Sequence, residues 1–258
     1  MKLSTLFATI VLVFDVQAQP NQTPRADNGY LAPHVSYNAY ILYMNQQSAG
    51  FFGGGTIISD RHILTAAKNI VEFTRWDVGV GSNVFVHLST ITSNQATAHP
   101  EYNPVTSAND IGIIFLPVSL EFTTNVFPIA LPDPYSQQML PLENEEGTIL
   151  GFGFTTTASM DRSDFLMAAF QRVTADTLCQ NMYHVETLQH FCAVEDNASR
   201  FSSVCVRDVG AGFATYVRDR LTLTGIVSLI RERCDNSNPT GYVRVEYYRE
   251  WIGNVTQV

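Results

Sequence analysis

Ser203-Val204-Cys205-Val206-Arg207-Asp208-Val209-Gly210-Ala211-Gly212-Phe213 is the stretch on which the reading of this chain turns. A cysteine fixes one end, an Asp–X–Gly turn sits in the middle, and an apolar strand begins at Phe213. Polar loops that run into apolar strands are where rigid scaffolds present chemistry. Yet Val209, between Asp208 and Gly210, has neither a proton to give nor a lone pair to attack with.

Outward from this loop the pattern is all-β. From Val35 onward, short runs rich in Val, Ile, Tyr, Phe and Thr fall at 40–43, 55–58, 62–65, 78–80, 84–88, 111–116, 148–150, 213–217, 221–228 and 241–245. Gly, Asn, Asp and Pro separate them, as turn residues separate strands. Many short strands of this kind predict a barrel or sandwich. Residues 117–146 are strand-poor and Pro-containing, and are read as the connection between two halves. Two helices are predicted. One lies near 174–181 with Thr174 as N-cap. The other is terminal, at 246–255, where Tyr247, Trp251 and Ile252 recur at helical spacing. No internal repeat and no low-complexity tract is present.

The chain has 258 residues, 45% of them hydrophobic and 15% charged, enough to bury a substantial core. The net charge is -9 and no Lys/Arg cluster stands out in the sequence, which argues against nucleic acid as a partner. Residues 1–18 read as a secretory signal. Lys2 starts it, an apolar run follows over 3–14, and Val16-Gln17-Ala18 offers cleavage after Ala18. The alternative is a buried N-terminal helix; the apolar run is too short to span a membrane. Residues 19–25 are a short polar propeptide or tail, with a further possible cut after Arg25. Secretion permits disulfides. The four cysteines, Cys179, Cys192, Cys205 and Cys234, allow three pairings and lack the close spacing of a metal site. Asn21, Asn197 and Asn254 head glycosylation sequons.

Four motifs then point to one family. Gly53-Gly54-Gly55-Thr56-Ile57-Ile58 with Leu64-Thr65-Ala66-Ala67-Lys68-Asn69 resembles the segment that delivers the catalytic histidine of trypsin-like serine proteases. His99-Pro100-Glu101-Tyr102 with Asn109-Asp110-Ile111-Gly112-Ile113 resembles the segment of the catalytic aspartate. Gly151-Phe152-Gly153 looks like the family's Gly-Trp-Gly turn. The opening stretch, with Gly225-Ile226-Val227-Ser228 and residues 239–245, resembles the nucleophile loop and the walls of the specificity pocket. The ordered set is far more specific than any one motif. It implies an all-β fold of two six-stranded antiparallel barrels with a C-terminal helix. The domain would occupy residues 26–258, with one barrel at about 35–130 and the other at about 145–245. It also implies the pairs Cys179–Cys192 and Cys205–Cys234, each worth about 3 kcal/mol. The bridge that usually brackets the histidine is missing as a pair, its positions being Gly53 and Asn69.

Carried over position by position, the resemblance gives a degenerate site. Acyl transfer needs a nucleophile, a base, an orienter and an oxyanion hole. Asp110 keeps the orienter. The base position is Lys68, a poor base near neutrality, read here as an ion pair with Asp110. The nucleophile position is Val209. The oxyanion position is Arg207, where the family has a glycine whose backbone conformation a Cβ resists. Ser203 would form the base of the specificity pocket, and Ile230 and Thr240 stand where wall glycines admit a side chain; Leu229 replaces a tryptophan. Asp208 is the carboxylate that, in active relatives, receives the amine freed by cleavage, here at Ala26; the alternative is that it caps local N–H groups.

The function expected is that of a secreted, extracellular, non-catalytic serine protease homologue of the short arthropod type without a clip module. It would act by binding proteins, as a cofactor, decoy or regulator in an immune or clotting cascade, or as a component of saliva, gut or reproductive fluid. Partners would be secreted proteases or cascade components, with no nucleic acid and no membrane; no cofactor and no metal is expected, and the chain would be a monomer. The competing readings are an active secreted endopeptidase and a ligand carrier with a remodelled cleft.

Overall fold

The structure, a computed structural model, describes residues 30–33, 35–135, 138–153, 162–195, 204–205, 207–230 and 238–258. Ala18, Asn21, Arg25, Ala26, Asn197, Ser203 and Cys234 lie outside the described residues.

After a short strand β1 (Tyr30–Leu31), seven strands build the first half. These are β2 (Asn38–Met44), β3 (Gly50–Ile57), β4 (His62–Thr65), β5 (Arg75–Val80), β6 (Ser89–Ser93), β7 (Ala96–Ala98) and β8 (Gly112–Phe115). In β2 the period-two alternation puts Ala39, Ile41 and Tyr43 inside, against Ile57, Ile63, Trp76, Val78 and Ile114. The ladder order is β6-β5-β2-β3-β4-β8-β7. Its two edge strands are successive in sequence, joined by Asn94 and Gln95. Ser93 Oγ donates to Phe115 O at 2.6 Å, and Phe115 N–H to Gln95 O at 2.9 Å. That bend, pinned to β8, curls the sheet into a half-barrel.

The second half is a closed ring. Its strands are β9 (Glu146–Gly151), β10 (Met167–Val173), β11 (His190–Glu195), β12 (Gly212–Val217), β13 (Arg220–Leu229) and β14 (Thr240–Arg244). Because β9 pairs with both β10 and β12, six strands close on themselves, and β1 extends the sheet beside β10. Closure removes the exposed edges of an open sheet. Phe191, Phe213 and Tyr242 fill this ring with centroids 4.7 to 5.3 Å apart. The result is the two-barrel all-β architecture that the motifs imply, with residues 117–145 running between β8 and β9.

A third apolar cluster joins the halves. Leu64, Ile111 and Ile113 from the first half meet Leu150, Phe152, Ile226 and Val243 from the second. The helix α2 (Arg249–Thr256) adds Ile252 to this seam.

The structure corrects several local expectations. Residues 84–88 are not a strand. Phe85–His87 is a 3₁₀ turn, because Phe85 N–H donates to Asp164 O and Val84 bridges Phe165, so this apolar run crosses to the second half. Helix α1 spans Asp176–Tyr183, and Thr174 does not cap it: its hydroxyl donates to Cys192 O at 3.2 Å. β10 and β11 carry no clear strand pattern; Met-Ala-Ala-Phe-Gln-Arg is built mainly of helix formers, and the ladder overrides that preference.

Candidate functional site

The glycine run of β3 is where the loop of the opening stretch meets the first half. A Cβ on Gly54 would stand 2.6 Å from the Cβ of Ala211, so only glycine permits the approach. Gly54 N–H donates to Val209 O at 2.9 Å. The loop's turn is intact: Asp208 N–H donates to Cys205 O, Ala211 N–H to Asp208 O, and Gly210 N–H to Val227 O. Gly210 has φ +90 and is enclosed by Thr65 and Gly54, so it needs a residue without Cβ on both counts. Val209 turns its side chain onto the seam cluster.

Lys68 and Asp110 face this loop. Lys68 sits in the 3₁₀ turn Ala67–Asn69. Asp110 is fully buried just before β8 and accepts three hydrogen bonds. Lys68 N–H reaches Oδ1 at 3.0 Å, Lys68 Nζ reaches Oδ2 at 2.9 Å, and Ser228 Oγ reaches Oδ2 at 2.6 Å. Lys68 Nζ also donates to Ser228 O at 2.8 Å. The ammonium is therefore held between two acceptors, while the Lys68 side chain keeps 29% exposure and Asp110 none. Asn109, at φ 56, positions the aspartate. It donates to Glu101 O at 2.9 Å and accepts from Tyr248 Oη at 3.0 Å.

A model of the trypsin family matches residues 28–252. The chain belongs to the trypsin family. A collagenase of Hypoderma lineatum is 28% identical over 91% of this chain and 88% of its own length. An inactive CLIP domain-containing serine protease A8 of Anopheles gambiae is 26% identical over 81% of this chain; the match spans 60% of that protein. A solved structure described as HL collagenase has a TM-score of 0.78 at 28% identity, covering 90% of this chain and 98% of that one. One described as GrC has a TM-score of 0.75 at 22% identity, over 90% and 99%, a likeness of fold alone.

In this trypsin-family chain, Arg207 adopts φ 87, a backbone region that resists a Cβ. Such a residue costs roughly 1–2 kcal/mol. Its guanidinium lies 5.3 Å from the Phe51 ring centroid and 5.2 Å from that of Phe52, contacts that offset part of the strain. The Asp208 carboxylate is pressed between Gly151 and Gly153. It accepts from Gly153 N–H at 3.1 Å and from Cys205 N–H at 2.9 Å. Burial pushes its pKa up to about 6, and the two N–H donors pull against that rise.

The expected pocket positions turn toward the core. Thr240 is buried in the β11–β14 ladder and its hydroxyl accepts from Gln171 Nε2 at 3.3 Å. Ile230 packs on the cluster of Phe191, Phe213 and Tyr242. Leu229 packs on the disulfide that Cys179 and Cys192 form. Cys205 is also disulfide-bonded. Asn254 is exposed on α2. Among the described residues, no group of three or more His, Cys, Asp or Glu side chains could hold a metal ion.

Two partners of the site are not evident from the motifs. Ser228, a pocket-wall position in its motif, holds both Lys68 and Asp110. Asn69, at one position of the missing bridge, donates through Nδ2 to Val209 O at 2.8 Å and to Thr65 Oγ1 at 3.0 Å. A Cβ on Gly53 would lie 2.9 Å from that same Nδ2, so the carboxamide fills the space a disulfide would take. The paired replacement at 53 and 69 is the sequence signal for it.

Proposed function

We propose that this trypsin-family chain is a non-catalytic serine protease homologue that acts by binding proteins outside the cell. The observation that carries this reading is the constellation at the three triad positions. Asp110 holds the ammonium of Lys68 at 2.9 Å, and Val209 supplies no nucleophilic atom. Loss of a single triad member already removes several orders of magnitude in rate from such enzymes. Arg207 at the oxyanion position and Ile230 and Thr240 at the pocket walls agree with it. A relative in Anopheles gambiae named as inactive supports the same direction.

The partners proposed are secreted proteases or components of a proteolytic cascade, engaged through the loops that rim the cleft. Cleavage after Arg25 would free an amine at Ala26 for Asp208, a regulatory arrangement weakened by the polar Ala-Asp start. Sequencing the N-terminus of the secreted protein tests it, and a single start at Gln19 in all mature protein rules it out.

The second reading, a live endopeptidase, is favoured by the relative named collagenase in Hypoderma lineatum. A panel of fluorogenic peptides and collagen, incubated with the protein before and after trypsin treatment, separates the two. The proposed function predicts no hydrolysis above a blank in either state. Turnover that survives removal of the added trypsin contradicts it. Affinity capture from the native secretion, with partners identified by mass, then tests the binding role.

A further inference from the structure

The face built by the inter-barrel connection and α2 carries a crevice of about 710 Å³, within the size range of small-molecule sites. Its walls come from four parts of the chain. Ile58 belongs to the first half, Leu131 and Leu140 to the connection, Val217 to the end of β12 in the β12–β13 hairpin, and Arg249 to α2. Arg218 and Arg220 from the same hairpin also line it.

These three arginines are the unusual feature. The protein carries a net charge of -9, so a convergence of guanidinium groups runs against its general charge. Arg249 is nine-tenths buried. Its Nε donates to Pro132 O at 2.7 Å, while its Nη1 is buried with no acceptor. Neither Arg218 nor Arg220 has a side-chain hydrogen bond or an ion pair among the described residues. The acidic side chain in the lining is Asp133, and Asp219 stands between the two arginines of the turn; three guanidinium groups outnumber these two carboxylates. A buried guanidinium with an unmet N–H is a poor structural element and a good anion receptor.

The apolar part of the site is next door. A second crevice of about 580 Å³ shares Phe127, Pro128, Ile129, Ala130 and Arg220 with the first. Beyond that floor it is lined by Leu150, Phe170 and Leu221. Arg220 thus stands between a cationic crevice and an apolar one.

We propose that this face binds a small amphipathic anion, with a carboxylate or sulfonate head among Arg218, Arg220 and Arg249 and an apolar body along Phe127–Ala130. The site is separate from the residues at the degenerate triad and does not depend on whether that triad is active.

The test is calorimetric titration of the full chain with decanoate, its neutral amide decanamide, anilinonaphthalene sulfonate and inorganic sulfate. Decanoate and the sulfonate are expected to bind saturably at one site, with decanamide and sulfate at least about tenfold weaker. The double variant R218Q/R220Q, on an exposed hairpin, should lose at least about tenfold in decanoate affinity with an unchanged unfolding midpoint. R249Q should do the same, and if it fails to fold the hairpin variant decides alone. Equal binding of decanamide, wild-type affinity in R218Q/R220Q, or no saturable binding of either amphiphile overturns the proposal. Sulfate binding as tightly as decanoate overturns the apolar half of it. Binding of one amphiphile and not the other supports the site and assigns its body as aliphatic or aromatic.

Discussion

Asp110 has no exposure, and two of the three hydrogen bonds it accepts come from Lys68. The carboxylate that would orient a base in an active relative here neutralises a cation. Lys68→Ala removes that cation and leaves the aspartate with Ser228 and one N–H. Because Lys68 is partly exposed, the loss should fall between that of a surface and a buried pair, about 2 kcal/mol, read as a lower urea midpoint. Val209→Ser alone should give no peptidase activity, since Nζ is already engaged by Asp110 and Ser228 O. Measurable turnover in that variant would show that lysine can serve as the base.

Asp208 makes the pH prediction at the same scale. Its pKa is raised by burial from 3.8 to about 6, so the folded state holds a proton that the unfolded state releases over pH 4 to 6. Stability from this group is present below pH 4 and is lost as pH rises through 6, by up to about 3 kcal/mol. Urea unfolding at closely spaced pH values should show the slope, and Asp208→Asn should flatten it. A slope of the same size in the variant assigns it to other groups.

At the scale of elements, β3 and the loop at 207–213 form one unit. The glycines of β3 admit the loop, Gly54 N–H and Asn69 Nδ2 both bond to Val209 O, and Gly210 closes the turn. Where a bridge would join residues 53 and 69, Asn69 instead ties its turn to Thr65 and to the loop at Val209 O. Asn69→Ala should cost about 1–3 kcal/mol, because it leaves a carbonyl and a hydroxyl short of a donor. In the double variant Gly53→Cys/Asn69→Cys a Cβ at 53 would stand 2.6 Å from Val209 O, so the loop must shift. The variant should be less stable than the native chain when reduced and recover about 2–4 kcal/mol on oxidation to a disulfide. Mass analysis of the thiols together with melting checks both outcomes. A free-thiol pair under oxidising conditions would mean that the two positions do not approach as described.

These elements also mark how far the sequence can be read. The order of the motifs was enough for the fold, because each motif holds a turn or close approach that only certain residues allow. Lys68 and Val209 were legible for the same reason: they stand at fixed offsets inside those motifs. Ser228 and Asn69 were not, since their partners lie 118 and 140 residues away and only the folded chain brings them together. β10 was missed because Ala168, Ala169 and Gln171 favour helix in isolation. Its buried Gln171 is explained by two hydroxyls across the ring: it accepts from Tyr242 at 2.6 Å and donates to Thr240 at 3.3 Å.

For the whole molecule, the seam from Leu64 to Ile252 ties the half-barrel to the closed ring. Helix α2 and the pair Asp110–Ser228 cross the same boundary. The two halves should therefore melt together, with calorimetric and van't Hoff enthalpies in agreement. Two resolved transitions would mean that the seam is weaker than its burial implies. The framework of the family's site is in place: Asp110, Asp208, Gly210 and the ladder around them are all built into the structure. The claim at the centre is that residue 209 forms no covalent bond with an acyl-type reagent. Intact mass after incubation with a fluorophosphonate probe, with trypsin as a positive control, tests it most directly. An unchanged mass at complete labelling of the control is the predicted result, and a single stoichiometric adduct on the folded protein would contradict it.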